Sequence, residues 1–177
     1  LYRINAGKIP IDHWIQDLNI GGGRLIGEVC HFIDYVLFIT SSRVRSCYAS
    51  TIKTNIDTIP NADTVHIQLN LSNGSIATIC YLCDGSKKMG KEYIEIIGNE
   101  SSYVIDDFKN SFAFLKNKKV KMYRGSQDKG YKKQIKSFMD CIINDVGTPI
   151  NISDVFHGMD VVFGIIESIK QKKVVEF

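Results

Sequence analysis

His31 stands three residues after Glu28 and three before Asp34, in the run R-L-I-G-E-V-C-H-F-I-D over residues 24–34. In a helix, positions three and four apart share a face. Arg24, Glu28, His31 and Asp34 or Tyr35 would then line one polar stripe. Imidazole is the side chain best matched to proton transfer near neutral pH. A neighbouring carboxylate would set its tautomer and raise its basicity. Three glycines, Gly21 to Gly23, lead into the helix. They allow close backbone approach at its N-terminus, where unpaired N–H groups attract oxygen-rich or anionic ligands. The same pattern also describes an ordinary amphipathic helix with a satisfied histidine. From residue chemistry alone that plainer reading is favoured, because one helix face is not a complete site.

Other reactive side chains carry weaker signals. Cys80 and Cys83 bracket Tyr81-Leu82, but in a regular strand the two thiols point to opposite faces. No second cysteine pair or histidine pair accompanies them, so buried thiols are expected and no metal site. Cys30 adjoins His31 but points about 100° away on a helix. His66 and His157 read as structural or surface groups. Asp12 and His13 have a better chance of function, since they lie in an irregular loop facing the helix.

The elements that must hold these residues follow from periodicity. Tyr2 to Ala6 reads as a short strand, and Gly7 to Gly23 as a long irregular loop. From Arg24, the apolar residues Ile26, Val29, Ile33, Val36 and Leu37 recur at helical spacing until Thr40-Ser41-Ser42. Strand signals follow at Val44 to Ser50, Thr64 to Leu71, Ser75 to Cys83, Tyr93 to Ile97, Tyr103 to Ile105, Phe112 to Leu115 and Val120 to Tyr123. Asn73-Gly74 and the lysine run Lys116 to Lys121 mark hairpin turns. Tyr131 to Asn144 reads as a helix with Ile135, Phe138, Met139, Ile142 and Ile143 on its core face. A second helix spans Val155 to Lys170, with Ser153 as its N-cap. The tail K-K-V-V-E-F suits a last strand. The sum is α+β: a predominantly antiparallel open sheet with helices packed on one face.

Composition narrows the function classes. A chain of 177 residues suits one domain, and a net charge of +3 is too weak to argue for nucleic acid or an anionic membrane. Five cysteines at irregular spacing do not form a secreted disulfide framework, so a cytoplasmic protein is expected. No run approaches the roughly 20 apolar residues that span a bilayer, and no signal peptide opens the sequence. It begins without Met on a strand-like pattern, as an excised domain would. Ile67, Leu69 and Leu71 alternate with His66, Gln68 and Asn70. With Ile76, Ile79, Tyr81 and Tyr93 to Ile97 they are expected to leave apolar area on the open sheet face and to favour dimerisation.

The stretches Y-R-I-N-A-G-K-I-P (residues 2–10), H-W (13–14) and G-G-G-R-L-I-G-E-V-C-H-F-I-D-Y-V-L-F-I-T (21–40) resemble the Gfo/Idh/MocA family. That family is named for glucose-fructose oxidoreductase and inositol dehydrogenase. The closest look is to its sugar-modifying members fused to other dehydrogenase modules. The resemblance implies a dihydrodipicolinate-reductase-like C-terminal domain that associates as a homodimer or higher oligomer through its sheet face. It implies that His31 is the catalytic histidine acting on a substrate hydroxyl proton, with Glu28 and Asp34 as carboxylate partners. Arg3, Asn5, Trp14 and Arg24 become candidates for binding a sugar, nucleotide-sugar or polyol substrate. Many members carry aspartate four residues before the histidine. This chain has Gly27 there, and Glu28 is the candidate replacement. The family's cofactor is NAD or NADP, to which hydride passes from a sugar carbon. Its nucleotide-binding Rossmann domain has no counterpart here: no G-x-G-x-x-G follows a strand and no glutamate-lysine-proline segment occurs. The chain alone is therefore expected neither to hold NAD(P) tightly nor to turn over. A non-catalytic sugar-binding or dimerisation module of the same fold is the alternative.

Overall fold

Apolar and polar residues alternate along most of the extended runs, so the central strands bury one face. The structure is a computed structural model and describes residues 1–52 and 63–177. Strand β1 (Tyr2–Asn5) is followed by a long loop containing a 3-10 turn, Trp14–Gln16. A π-helical turn, Leu25–Val29, then runs directly into α1 (Cys30–Thr40). Seven strands come next: β2 (Val44–Thr51), β3 (Val65–Leu71), β4 (Ile76–Leu82), β5 (Glu92–Gly98), β6 (Ser101–Asp106), β7 (Asn110–Leu115) and β8 (Lys118–Arg124). Helices α2 (Tyr131–Ile143) and α3 (Ile152–Gln171) precede a last short strand, β9 (Val175–Glu176).

The nine strands form one sheet in the order β8-β7-β6-β5-β1-β4-β3-β2-β9. Pairing is antiparallel except between β1 and β4, which run parallel with Tyr2 opposite Ile79. Sequence reading anticipated the antiparallel neighbours joined by short turns. It did not anticipate that β1 would insert between β4 and β5, because that register depends on residues far along the chain.

Helices α1 and α3 pack on one face of the sheet. Ile33 and Leu25 share a core with Ile4, Ile67, Leu69, Ile79, Val161 and Ile165, each of these at most 1% exposed. The expectation of apolar area on the open face needs correction for five of its residues, while Ile76 and Ile97 do lie exposed there. Ile67, Leu69, Leu71, Ile79 and Tyr81 all point into this core. The opposite face carries the residues that alternate with them, including His66, Gln68 and Thr78.

Two further expectations change. The α3 N-cap is Asn151, whose side chain accepts from Ser153 N at 2.9 Å; Ser153 lies inside the first turn. Helix α2 buries no residue: Ile135, Phe138, Met139, Ile142 and Ile143, read as a core face, are 47–73% exposed. The amphipathic period was sound, but no described element covers that face.

Candidate active site

The site is assembled at the entry to α1. The 3-10 turn Trp14–Gln16 is capped by His13, whose Nδ1 accepts from Ile15 N at 3.3 Å. It lies directly on the glycine run: a Cβ on Gly21 would meet the carbonyl oxygen of Trp14 at 2.6 Å. Gly22 and Gly23 have φ of 70° and 90°, a left-handed turn that glycine adopts without strain. The glycine N–H groups are all used internally. Gly21 and Gly22 donate to Asp17 O at 2.8 and 3.0 Å, and Gly23 donates to Ile15 O at 2.9 Å. The run is therefore a folding device, and its own N–H groups are not open to an anion. The described residues do not fit the phosphates of a dinucleotide here.

Arg24 follows and is 1% exposed. Its Nε donates to Glu28 Oε1 at 3.2 Å; its Nη1 donates to Gly7 O at 2.8 Å and to Cys83 Sγ at 3.0 Å. The guanidinium also lies 5.2 Å from the Tyr81 ring centroid. Its donors are consumed by the protein. Glu28 is occupied in turn, because its Oε2 accepts from the Tyr81 hydroxyl at 2.8 Å. Burial pushes the Cys83 thiol up to about 12, against the pull of Arg24. Burial likewise pushes the Tyr81 phenol far up. The result is a neutral thiol and a neutral phenol around one part-buried ion pair.

His31 is exposed on α1. Among the described residues no hydrogen bond joins it to Glu28. Its electrostatic partner is Asp34, whose carboxyl burial pushes up while His31 draws it down. Asp34 leans on α3, where a Cβ on Gly158 would come within 2.8 Å of its Oδ1. A groove of about 570 Å³ begins at Asp34 and runs past Phe38 to Arg43 and His157. The polar groups at its far end are paired with one another. Arg43 donates to Ser153 Oγ at 2.9 Å and Asp154 Oδ1 at 3.2 Å, and His157 Nε2 accepts from Val44 N at 3.0 Å.

The remaining sequence candidates lie apart from His31. Tyr2 and Ile4 point into the core, so Arg3 and Asn5 project from the opposite face of the sheet. Arg3 donates to Gly90 O at 3.2 Å and stacks 5.7 Å from the Tyr93 ring centroid. Asn5 Nδ2 donates to Ser86 O at 2.9 Å, which fixes the loop after β4. They share no pocket with the histidine. Trp14, by contrast, is 59% exposed, with its ring 5.7 Å from that of His13. Its turn borders the helix face of the histidine, because a Cβ on Gly27 would meet Ile15 Cδ1 at 2.8 Å. Gly27 lies one turn from His31. An aspartate at 27 would have to displace that isoleucine side chain. Cys80 and Cys83 do diverge: Cys80 Sγ lies 3.0 Å from His66 Nε2, while Cys83 meets Arg24. The π-helical turn was not legible beforehand, because Leu25, Ile26 and Val29 keep a helix-like apolar spacing within it.

Residues 3–177 match the family described as "Oxidoreductase family, C-terminal alpha/beta domain". No curated protein matches the sequence. Among solved structures, the chain is similar to an aldose-aldose oxidoreductase from Caulobacter crescentus complexed with glycerol, at TM-score 0.81 and 14% identity. The alignment covers 99% of this chain and 55% of that one. It is also similar to a UDP-N-acetylglucosamine 3-dehydrogenase from Acidithiobacillus ferrooxidans, at TM-score 0.77 and 12% identity, covering 96% and 52%. A third is an oxidoreductase from Agrobacterium radiobacter in complex with NAD+, L-tartaric acid and magnesium, at TM-score 0.73 and 15% identity, covering 99% and 55%. The chain thus spans about half the length of the solved structures it matches. At these identities the likeness shows the fold.

Proposed function

Because the chain belongs to the Gfo/Idh/MocA oxidoreductase family as its C-terminal alpha/beta domain, we propose that it forms the substrate-facing wall of an NAD(P)-dependent dehydrogenase. The substrate class is a sugar, nucleotide sugar or polyol bearing a reacting hydroxyl or carbonyl. The observation that carries this reading is His31, exposed on α1 with Asp34 one helical turn away. His31 takes or returns the proton of the substrate hydroxyl, and Asp34 steadies the imidazolium that forms. Trp14 offers an aromatic face to a sugar ring. Arg24 and Glu28 act through the backbone, by fixing the turn that presents His31. NAD or NADP would be held by a Rossmann half outside this chain, so the chain alone is inactive. Cytoplasmic location, association through the open sheet face and the dihydrodipicolinate-reductase-like grouping of that sheet belong to the same reading.

The test is a panel of sugars, polyols and nucleotide sugars assayed with NAD and NADP on the full-length protein. His31→Ala is expected to lower kcat by about 10²–10⁴-fold, the range of a positioned proton-transfer group. Unchanged turnover in that variant would overturn the assigned role. A second reading, a sugar-binding or dimerisation module without chemistry, is favoured by Gly27 and by the full engagement of Glu28 with Arg24 and Tyr81. It predicts saccharide binding with no turnover of any member of the panel.

A further inference from the structure

Helix α2 buries no residue, yet its sequence is built to pack. Ile135, Phe138, Met139, Ile142 and Ile143 fall within about 140° of arc at about 100° per residue, a stripe wide enough for one buried face. All five are exposed. The other side carries Lys133, Lys136 and Asp140, the last two paired at 2.7 Å. Nothing local compensates for the exposed stripe. Isolated helices shorter than about 12–15 residues are marginal in water, and α2 has 13. Its N-cap is Gly130, with φ of 77° and no side-chain cap. Lys132 and Lys133 stand in a first turn that holds no acidic residue, so they oppose the positive end of the helix dipole. Such a helix draws its stability from packing of its apolar face. The stripe therefore calls for a partner beyond the described residues.

The connections of α2 place it relative to His31. Just before the helix, Lys129 Nζ donates to Glu92 Oε1 at 2.6 Å and lies 5.9 Å from the Phe108 ring centroid. That ring meets Tyr35 of α1 edge-on. Just after the helix, Pro149 and Ile150 line the groove that also holds Asp34 and Phe38. On α1, Tyr35 and Asp34 flank His31, about 40° to one side and about 60° to the other. The two connections thus reach α1 on both flanks of the histidine, which puts α2 on the histidine's side of the molecule.

The chain matches a C-terminal domain and spans about half the length of the solved structures it resembles. We propose that the stripe of α2 docks on the N-terminal half of the full-length protein, the half that would hold NAD or NADP, and that α2 gains its full helical stability in that contact. A second copy fits the stripe less well. A 13-residue helix is about 20 Å long, and two such helices paired fall short of the roughly 20–30 residues a side that a stable dimer engages. A covalently joined partner acts at high effective concentration, so a surface this small suffices. Lys132 borders the stripe and has no carboxylate partner among the described residues. The complementary seat is apolar, with a carboxylate near the start of α2. The inference deepens the dehydrogenase reading and rests on it for the identity of the occupant.

The photo-reactive residue p-benzoylphenylalanine is placed at Phe138 of the full-length protein, and the irradiated protein is digested and read by mass spectrometry. The expected product is a cross-link within one molecule, from α2 to a peptide that precedes this domain. A cross-link between two copies, or to another peptide within residues 1–177, overturns the inference. Hydrogen exchange supplies a second measurement. Amides of residues 134–144 in the full-length protein should exchange about ten- to a hundredfold more slowly than in Phe138→Glu, the change that loss of one buried phenylalanine implies. Amides of α3 should be unaltered, because α2 buries nothing within this domain. Equal exchange of α2 in the two proteins overturns the inference. Neither readout depends on turnover. A cross-link to the N-terminal half of a protein that turns over no member of the sugar panel would sink the dehydrogenase reading and leave the docking surface standing.

Discussion

Arg24 shows how much one residue must satisfy before another can act. A guanidinium that is 1% exposed carries a large desolvation cost, which Glu28, Gly7 O and Cys83 offset with short contacts. Removing it leaves Glu28 and the Gly7 carbonyl without that partner. Arg24→Met is expected to lower stability by about 3–5 kcal/mol, read from urea unfolding. Arg24→Lys should recover only part, because an ammonium lacks the planar fork. His157 sets a pH limit at the same scale. Burial, then the nearby Arg43, hold its imidazole below the ordinary value of 6.5, and Asp154 and Asp160 oppose them. Its Nε2 must stay unprotonated to accept from Val44 N. The unfolded chain binds the proton more readily, so this contribution is present above 6.5 and lost as pH falls through the lower folded value. Urea midpoints between about pH 5 and 8 should fall on the acid side, and less steeply in His157→Gln.

Among the elements, the entry to α1 depends on close approach. A Cβ at Gly21 would press on the backbone of Trp14 and Ile15, which cannot yield as a side-chain tip can. Gly21→Ala is expected to cost about 1–3 kcal/mol, the usual range for overpacking. Trp14 is the one tryptophan of the chain, so its emission should report the local shift directly. Gly158→Ala should displace the Asp34 carboxylate from α3. Its signature is a lowered Asp34 titration by NMR, as the carboxyl loses its burial against α3, with little loss of helix content.

These two glycines also show what the sequence could convey. The strands and α3 were legible because alternation and helical period are local signals, and they left the right faces on Ile67, Leu69, Val161 and Ile165. The polar stripe was legible for the same reason. The partnership within it was not. Spacing paired Glu28 with His31, whereas Arg24 and Tyr81, the latter more than fifty residues away, claim the carboxylate. The glycine run was read as an open N-terminus, but its N–H groups are consumed by Asp17 and Ile15, contacts that depend on how the loop folds back. Arg3 and Asn5 were grouped with His31 by motif, and strand pleating separates them.

At the scale of the molecule, the described structure has two unlike surfaces. One face of the sheet is covered by α1 and α3 over its central strands, while β8 at the far edge stays exposed along its length. The opposite face carries Tyr48, Ile76 and Ile97, at 43%, 68% and 81% exposure, among polar neighbours. If copies associate there, as proposed, Ile97→Glu should shift sedimentation towards the monomer without altering the circular dichroism spectrum. An unchanged distribution would place any association elsewhere. No described helix is long and apolar enough to cross a membrane.

The position of β1 has a consequence for the order in which a ribosome delivers this fold. Its two neighbours, β4 and β5, are made long after it. Until residues up to Leu82 have emerged, Tyr2 and Ile4 have no ladder to join, and their second ladder waits for β5, which ends at Gly98. The loop and the helix that carries His31 are then tethered to an unplaced strand. The histidine's surroundings are thus completed by the late arrival of sequence from the middle of the chain. Nascent chains whose emerged portion ends at Leu71 should be cut readily by protease within residues 1–40, and those that have released Gly98 should resist.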